Sequence, residues 1–335
     1  MRTTRRARKR LSQKRNNHTG RYVMAALMSL GGGQTAAPAM ALAQETTIND
    51  NTYQSDTVYG NNNGSDYKTA AGDASNNTIT ITAPDGIVMA VLGGADDSAA
   101  EAGYNRVVVE GTVGGTDISM VVGGKTNKGN ANSNDVTIAG EVMGDSLVGG
   151  DVWGGLSSEG SANDNIVTIT GEVTGGVYGG QTSNGNANLN NVNISGLADG
   201  NVWGGLTGKG DADNNTITIA STGIVSGEVY GGRTTSGNAE DNIITHDGNI
   251  IGTSIVGYTE SGISRNNTYT LNSGTASYIA AGRSVSGIAE QNTTIIKDGG
   301  LFMAAGADTT DGVVKNNTLL CSDFCQAPIF YFAKR

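Results

Sequence analysis

Glycine and asparagine positions that recur about every 25 residues constrain this chain more than any other feature. The asparagines Asn134, Asn165, Asn190, Asn215, Asn242, Asn267, Asn292 and Asn317 stand at intervals of 31, 25, 25, 27, 25, 25 and 25 residues. Gly129, Gly160, Gly185, Gly210, Gly237, Gly262, Gly287 and Gly312 step identically, each five residues ahead of its Asn. In one unit, Val152-Trp153-Gly154-Gly155 is followed by Gly160, Asn165 and the run Val167-Thr168-Ile169. A fixed period of this size marks a stacked array of small structural units. The 52 Gly would suit a disordered chain, but their periodicity and only 3 Pro argue for order.

The positions two and four after each Asn are apolar: Val136 and Ile138, Val167 and Ile169, Val192 and Ile194, Ile217 and Ile219, Tyr269 and Leu271. Alternation with period two is the signature of a half-buried strand. A second alternating stretch runs from Gly171 to Tyr178, and nothing between the two has helical period. The pattern predicts an all-β fold, a parallel β-helix or solenoid with two strands per coil of about 25 residues. Its core is Val and Ile stacked coil on coil. Nine anchors between Gly94 and Gly306, at a rise of roughly 4.8 Å, predict a rod about 40 Å long. Glycine pairs are expected where corners need positive φ or close backbone approach, and the Asn column is expected to hydrogen-bond between coils.

The expected organisation has four parts. Residues 1–43 carry nine Lys or Arg and no acid, then a short apolar segment from Tyr22 to Leu30 and small residues ending Ala41-Leu42-Ala43. This reads as an export signal cleaved between Ala43 and Gln44, its apolar stretch being too short to span a bilayer as a helix. Residues 44–76 read as an irregular lead-in and N-terminal cap, and 77–320 as the solenoid, with Ile87 to Leu92 as an early second strand and Ala95 to Tyr104 as a longer loop. Residues 321–335 form a non-repeat tail. Beyond residue 43, twelve basic residues face thirty-one acidic ones, a net of −19, which disfavours nucleic acid and anionic lipid as partners.

The long basic signal ending Ala41-Leu42-Ala43, followed by coils such as Val177-Tyr178-Gly179-Gly180 to Asn190-Asn191-Val192-Asn193-Ile194, resembles the passenger region of bacterial autotransporter (type V secreted) adhesins. The resemblance spans about residues 1–320. It implies dependence on export machinery, a right-handed β-helix, location in the medium or on the outer membrane of a Gram-negative bacterium, and adhesion to glycans or proteins of host or neighbouring cells. Such families end in a translocating barrel of at least about eight strands. Here Ile329-Phe330-Tyr331-Phe332 offers one.

No cofactor and no catalytic or metal site are expected. A serine-protease triad needs a base, and the only histidine after residue 43 is His246, at a position where other coils carry Ile138, Ile169, Ile194 and Ile219. It reads as a core histidine satisfied locally by Asp247. Cys321 and Cys325 are too few for a metal site and read as a local disulfide after export or as a pair without a role. Asp211 and Asp213 do not recur at equivalent places, as a calcium-binding solenoid would require. Thr78/Thr80 and Thr168/Thr170 are similar to ice-binding pairs but fall out of register, and Asn267-Thr268-Tyr269 is a corner Asn followed by a strand-forming Thr. A secreted polysaccharide lyase or hydrolase is the alternative reading, yet the acids read as scattered single residues, with Lys125, Lys128, Lys209, Arg233, Arg265 and Arg283 forming no dense pocket.

Trp153, Tyr178, Trp203 and Tyr230 precede the glycine pair in four successive coils. With Val152, Val177, Val202 and Val229 inward, alternation turns the rings outward as a candidate ladder for stacking on sugars or partner side chains. The competing reading has the rings stacking on one another to stabilise the coil.

Overall fold

The computed structural model describes residues 44–322 apart from 50–55, 63–69, 71, 85–87, 98–100, 115–118 and 145–148. The expected export signal with Ala41 and Ala43, and residues 323–335 of the tail, lie outside the described residues. The described residues form a solenoid of parallel strands without helix. One sheet has eleven strands, a second fifteen and a third four. Ten steps of roughly 4.8 Å along the eleven-stranded sheet give a rod of about 48 Å.

Each regular coil carries three strands, one more than expected. Ile166–Ile169 is followed by Glu172–Val173 and Val177–Thr182. The expected single strand from Gly171 to Tyr178 is broken at Thr174-Gly175-Gly176; the two pieces are continuous in the early strand Val88–Asp96 and again in Asn249–Thr259, Thr275–Ser284 and Gly300–Thr309. The lead-in is also more regular than its composition implied. Glu45–Ile48 pairs in parallel with Thr78–Ile81, and Asp56–Tyr59 with Val88–Asp96, so part of 44–76 forms a further coil. Val88–Asp96 also reaches into the stretch expected as a loop from Ala95, and Glu101 bridges to Asn130.

The core is a set of one-residue columns. Val167, Val192, Ile217, Ile244 and Tyr269 stand in register, as do Ile169, Ile194, Ile219, His246 and Leu271. All ten are buried. A fully buried Val or Ile contributes about 1.5–3 kcal/mol, and no single coil can enclose its own.

Polar columns run beside the apolar ones. Each Asn side chain of the column donates to the next: Asn165 Nδ2 to Asn190 Oδ1 and Asn215 Nδ2 to Asn242 Oδ1, both at 3.0 Å. The series reaches Asn317 and also extends back through Asn105 and Asn77. Three residues ahead of the Asn stands a column of buried alanines, including Ala162, Ala187 and Ala212, whose carbonyls accept a second Asn Nδ2–H from Asn190, Asn215 and Asn242. A Ser or Thr column closes the turn before it. Thr182 Oγ1 accepts from Gly185 N–H and donates to Gly160 O.

The glycine pairs of the regular coils, such as Gly154-Gly155 and Gly179-Gly180, serve close approach, as expected, while positive φ among glycines is confined to Gly72, Gly114, Gly274 and Gly299. A Cβ on Gly180 would lie 2.1 Å from Ala162 O, and one on Gly185 would lie 2.3 Å from Gly160 O. Left-handed backbone falls instead on the residue before each column Asn. Ten such residues, among them Asp164, Leu189, Asn214 and Asp241, have φ between 51° and 62°.

Candidate interaction face

The strands Asp151–Ser157, Val177–Thr182, Val202–Thr207 and Val229–Thr234 bring Trp153, Tyr178, Trp203 and Tyr230 into one register column. Val152, Val177, Val202 and Val229 are fully buried inside, so alternation places the rings on the outside of the sheet. Gly154 and Gly155 are both buried, which makes Leu156 the next outward side chain.

The rings stack on each other along the rod. Centroids are 5.1 Å apart for Trp153 and Tyr178, 4.5 Å for Tyr178 and Trp203, and 6.4 Å for Trp203 and Tyr230, with planes within 10° of parallel. Stacked pairs contribute about 0.5–1.5 kcal/mol beyond burial. Ring faces in the middle of the stack are therefore occupied, and a sugar lying on the rod meets ring edges. Trp203 and Tyr230 retain only 8% and 7% exposure, while Trp153 and Tyr178 are half-buried. The column continues as Ile255, Ala280 and Ala305.

Polar tips of the rings are held unequally. Trp153 Nε1–H donates to Gln181 Oε1 at 2.6 Å, and Tyr230 Oη–H donates to Glu228 Oε2 at 2.9 Å. Trp203 Nε1 is buried without a hydrogen-bond partner. Burial, and then the charge of Asp151, pushes the Tyr178 phenol up to about 12. Burial likewise raises Tyr230, with the Glu228 hydrogen bond adding to it.

A second outward column lies beside the aromatic one: Leu156, Gln181, Leu206, Arg233, Tyr258, Arg283 and Asp308. The Arg233 guanidinium carbon is 5.2 Å from the centroids of both Tyr230 and Tyr258, and that of Arg283 is 5.8 Å from Tyr258. The two columns make one amphipathic face with an apolar centre and a charged rim.

Elsewhere the expected chemistry resolves differently. His246 is fully buried; its Nδ1 lies 2.9 Å from Tyr269 Oη and its Nε2 2.9 Å from Gly248 O. The Gly248 carbonyl can only accept, so Nε2 carries the proton and Nδ1 accepts from the tyrosine. Asp247, the expected partner, instead accepts from Asn272 and Ser273. Cys321 ends the last strand, Thr318–Cys321, and is disulfide-bonded; Cys325 lies outside the described residues.

The acids are less scattered than the sequence suggested. Stacking gathers Asp211, Asp213, Glu240 and Asp241, and burial first, then these neighbours, hold the Asp213 carboxyl up at about 7, against its lone backbone bond from Glu240. The gathering has a structural cause. Asn132, Asn163 and Asn188 each accept the backbone N–H of the equivalent residue one coil on, and Asp213 accepts that of Glu240 at 2.8 Å. Asp211 does the same for Asn238. In later coils backbone pairing takes over, as Ile263–Arg265, Ile288–Glu290 and Val313–Lys315 join the four-stranded sheet.

No protein-family model, curated protein or solved structure matches this chain. The likeness to autotransporter passengers therefore rests on its signal-like start and its coils alone.

Proposed function

We propose that this chain is exported and works in the medium or at the cell surface by adhesion, as a passenger-like rod that binds glycans or proteins of host or neighbouring cells. The observation that carries the reading is the amphipathic face. Seven residues from Trp153 to Ala305 keep one register on the outer side of the sheet, Trp153 and Tyr178 half-buried and the other five buried, and a more open parallel column of Leu, Gln, Arg, Tyr and Asp lies beside them. Such a face suits a long ligand laid along the coils, since apolar stripes of this kind mark interaction sites. The stacked rings serve as its scaffold and the rim column supplies the contacts.

Export is supported at the cleavage point itself. Cutting after Ala43 would leave Gln44 first, and Gln44 O already accepts from Thr78 N–H at 2.7 Å in the rod. The test is to fractionate cells producing the full chain and sequence the product's N-terminus. Surface or medium product beginning at Gln44 is expected; product confined to the periplasm would refute the reading. For adhesion, Leu206→Glu on the rim is expected to abolish cell binding without lowering the melting temperature, while Ile166→Glu on the other sheet leaves binding intact. Equal adhesion by both variants would remove this face from the function.

A second reading, a secreted polysaccharide lyase or hydrolase, is favoured by one observation. A carboxyl that titrates near 7 beside other carboxyls is what general acid chemistry uses. Polysaccharide cleavage lost in Asp213→Asn would support it; a fully folded protein inactive on acidic and neutral glycans alike would end it.

A further inference from the structure

Four arginines lie among the described residues, and three of them stand beside a carboxylate. Arg106 is 3.6 Å from Asp135, Arg265 is 2.7 Å from Glu240, and Arg283 is 3.7 Å from Asp308. Arg233 is held differently, with its guanidinium over the rings of Tyr230 and Tyr258. Ring faces hold a guanidinium without using its N–H donors.

The neighbouring indole is in the same condition. One register step takes Trp153 N–H to an acceptor, Gln181. The same step from Trp203 leads to Arg233, which has only donors, and the Trp203 N–H is buried with no partner in a side chain 8% exposed. One coil beyond Tyr258, Arg283 Nε is also without a hydrogen bond. The nearby acids are already engaged, Glu228 by Tyr230 and Asp308 by Arg283. In a rod that carries a net −19 after residue 43, this is a place with donors in excess and acceptors missing.

We infer that Arg233, with the unpartnered Trp203 N–H one coil before it and Arg283 two coils on, forms a subsite for the acidic groups of an elongated carboxylated or sulfated glycan lying along the rod. This rests on the reading of the face as a binding face. Guanidinium groups bind carboxylate and sulfate through paired, charge-assisted hydrogen bonds. Spacing favours a glycan over an acidic peptide. Arg233 and Arg283 are two coils apart, roughly 10 Å, which is close to the disaccharide repeat of an extended acidic polysaccharide, and Tyr258 stands between them. Same-side residues of an extended peptide recur at only about 7 Å.

The test uses the exported, processed protein on immobilised polygalacturonate, heparin, neutral dextran and polyglutamate at low salt. Binding to polygalacturonate or heparin is expected, weakening with salt and falling about tenfold or more in Arg233→Gln. Lys209→Gln, an exposed cation elsewhere, is expected to change nothing, and both variants should melt with the parent. The preferred polymer separates carboxylate from sulfate. Arg233-dependent retention on polyglutamate above both glycans would reassign the partner to an acidic protein. Binding indifferent to Arg233→Gln, or equal on dextran, would overturn the subsite. If Leu206→Glu still abolishes cell adhesion in that event, the binding face stands; if it does not, both readings fall.

Discussion

Asn190 and Asn215 share a single oxygen: Oδ1 of Asn215 accepts both the backbone N–H and the Nδ2–H of Asn190, each at 3.0 Å. Asn215 Nδ2 in turn donates to Ala187 O and to Asn242 Oδ1. One side chain therefore bonds the backbone of the preceding coil twice, at Asn190 N–H and Ala187 O, and links to the side chain of the next coil, in a place water does not reach. No apolar residue can replace it, since removal strands the two Asn190 donors and the Ala187 carbonyl, while Asn242 Oδ1 keeps only the Asn215 backbone N–H.

Asn215→Ala is accordingly expected to destabilise the rod by about 2–4 kcal/mol, more than a typical lost hydrogen bond, because buried partners are left unmade. Chemical denaturation checks it. A loss within about 0.5 kcal/mol would mean the ladder is decorative.

The left-handed position before each Asn tolerates residues it does not favour. Leu189 sits there with φ 59° and is 55% exposed, whereas Asn214 and Asn266 occupy the same place in other coils. A left-handed Leu costs roughly 1–2 kcal/mol relative to the right-handed conformation, and Asn pays less. Leu189→Asn is expected to stabilise by about 0.5–1 kcal/mol, seen as a raised melting temperature. An unchanged or lower value would place the origin of this corner elsewhere.

These examples show what the sequence made legible. The Asn column and the Val and Ile alternation were plain because each repeats a residue type at one step, and they gave the solenoid and its coil length. The Ala column (Ala162, Ala187, Ala212) and the Ser and Thr column (Ser157, Thr182, Thr207) repeat at the same step and were equally available. Asn77 and Asn105 belong to the ladder but are spaced 28 and 29 residues along, which hid them. Ring orientation was not legible, since alternation fixes the side of the sheet and says nothing of whether outward rings stack on one another. The acidic group was legible only by superposing coils, because Asp213 and Glu240 lie 27 residues apart.

Asp213 gives a pH dependence of definite sign. Its folded carboxyl titrates at about 7 against 3.8 for the free group, so between these values the folded chain holds a proton that the unfolded chain has released. Its contribution to stability is full below about 4 and declines as pH rises to about 7. Asp213→Asn keeps the acceptor for Glu240 N–H and removes the charge. It is expected to stabilise by about 1 kcal/mol at pH 8, once solvent screening of a half-exposed group is allowed for, and by nothing at pH 3.5. Denaturation midpoints at the two pH values decide it; a destabilised variant at pH 8 would show that the carboxylate is held by an unrecognised cation.

His246 and Tyr269 form a polar pair in columns that are otherwise aliphatic. Burial lowers the pKa of His246, so the unfolded chain takes up a proton that the folded chain refuses, and stability falls as pH drops below about 6.5. His246→Ile matches Ile219 in register and removes that acid sensitivity, but it leaves the buried Tyr269 hydroxyl without its acceptor, at a cost of about 1–3 kcal/mol at pH 7.5. Adding Tyr269→Ile restores the column of Ile217 and Ile244. The double variant is expected to recover most of the loss, with a coupling of about 1–2 kcal/mol in a double-mutant cycle and midpoints that no longer fall between pH 7.5 and 5.5. Additive losses would show that the two rings are held independently, and that the hydrogen bond between them contributes nothing to the coil.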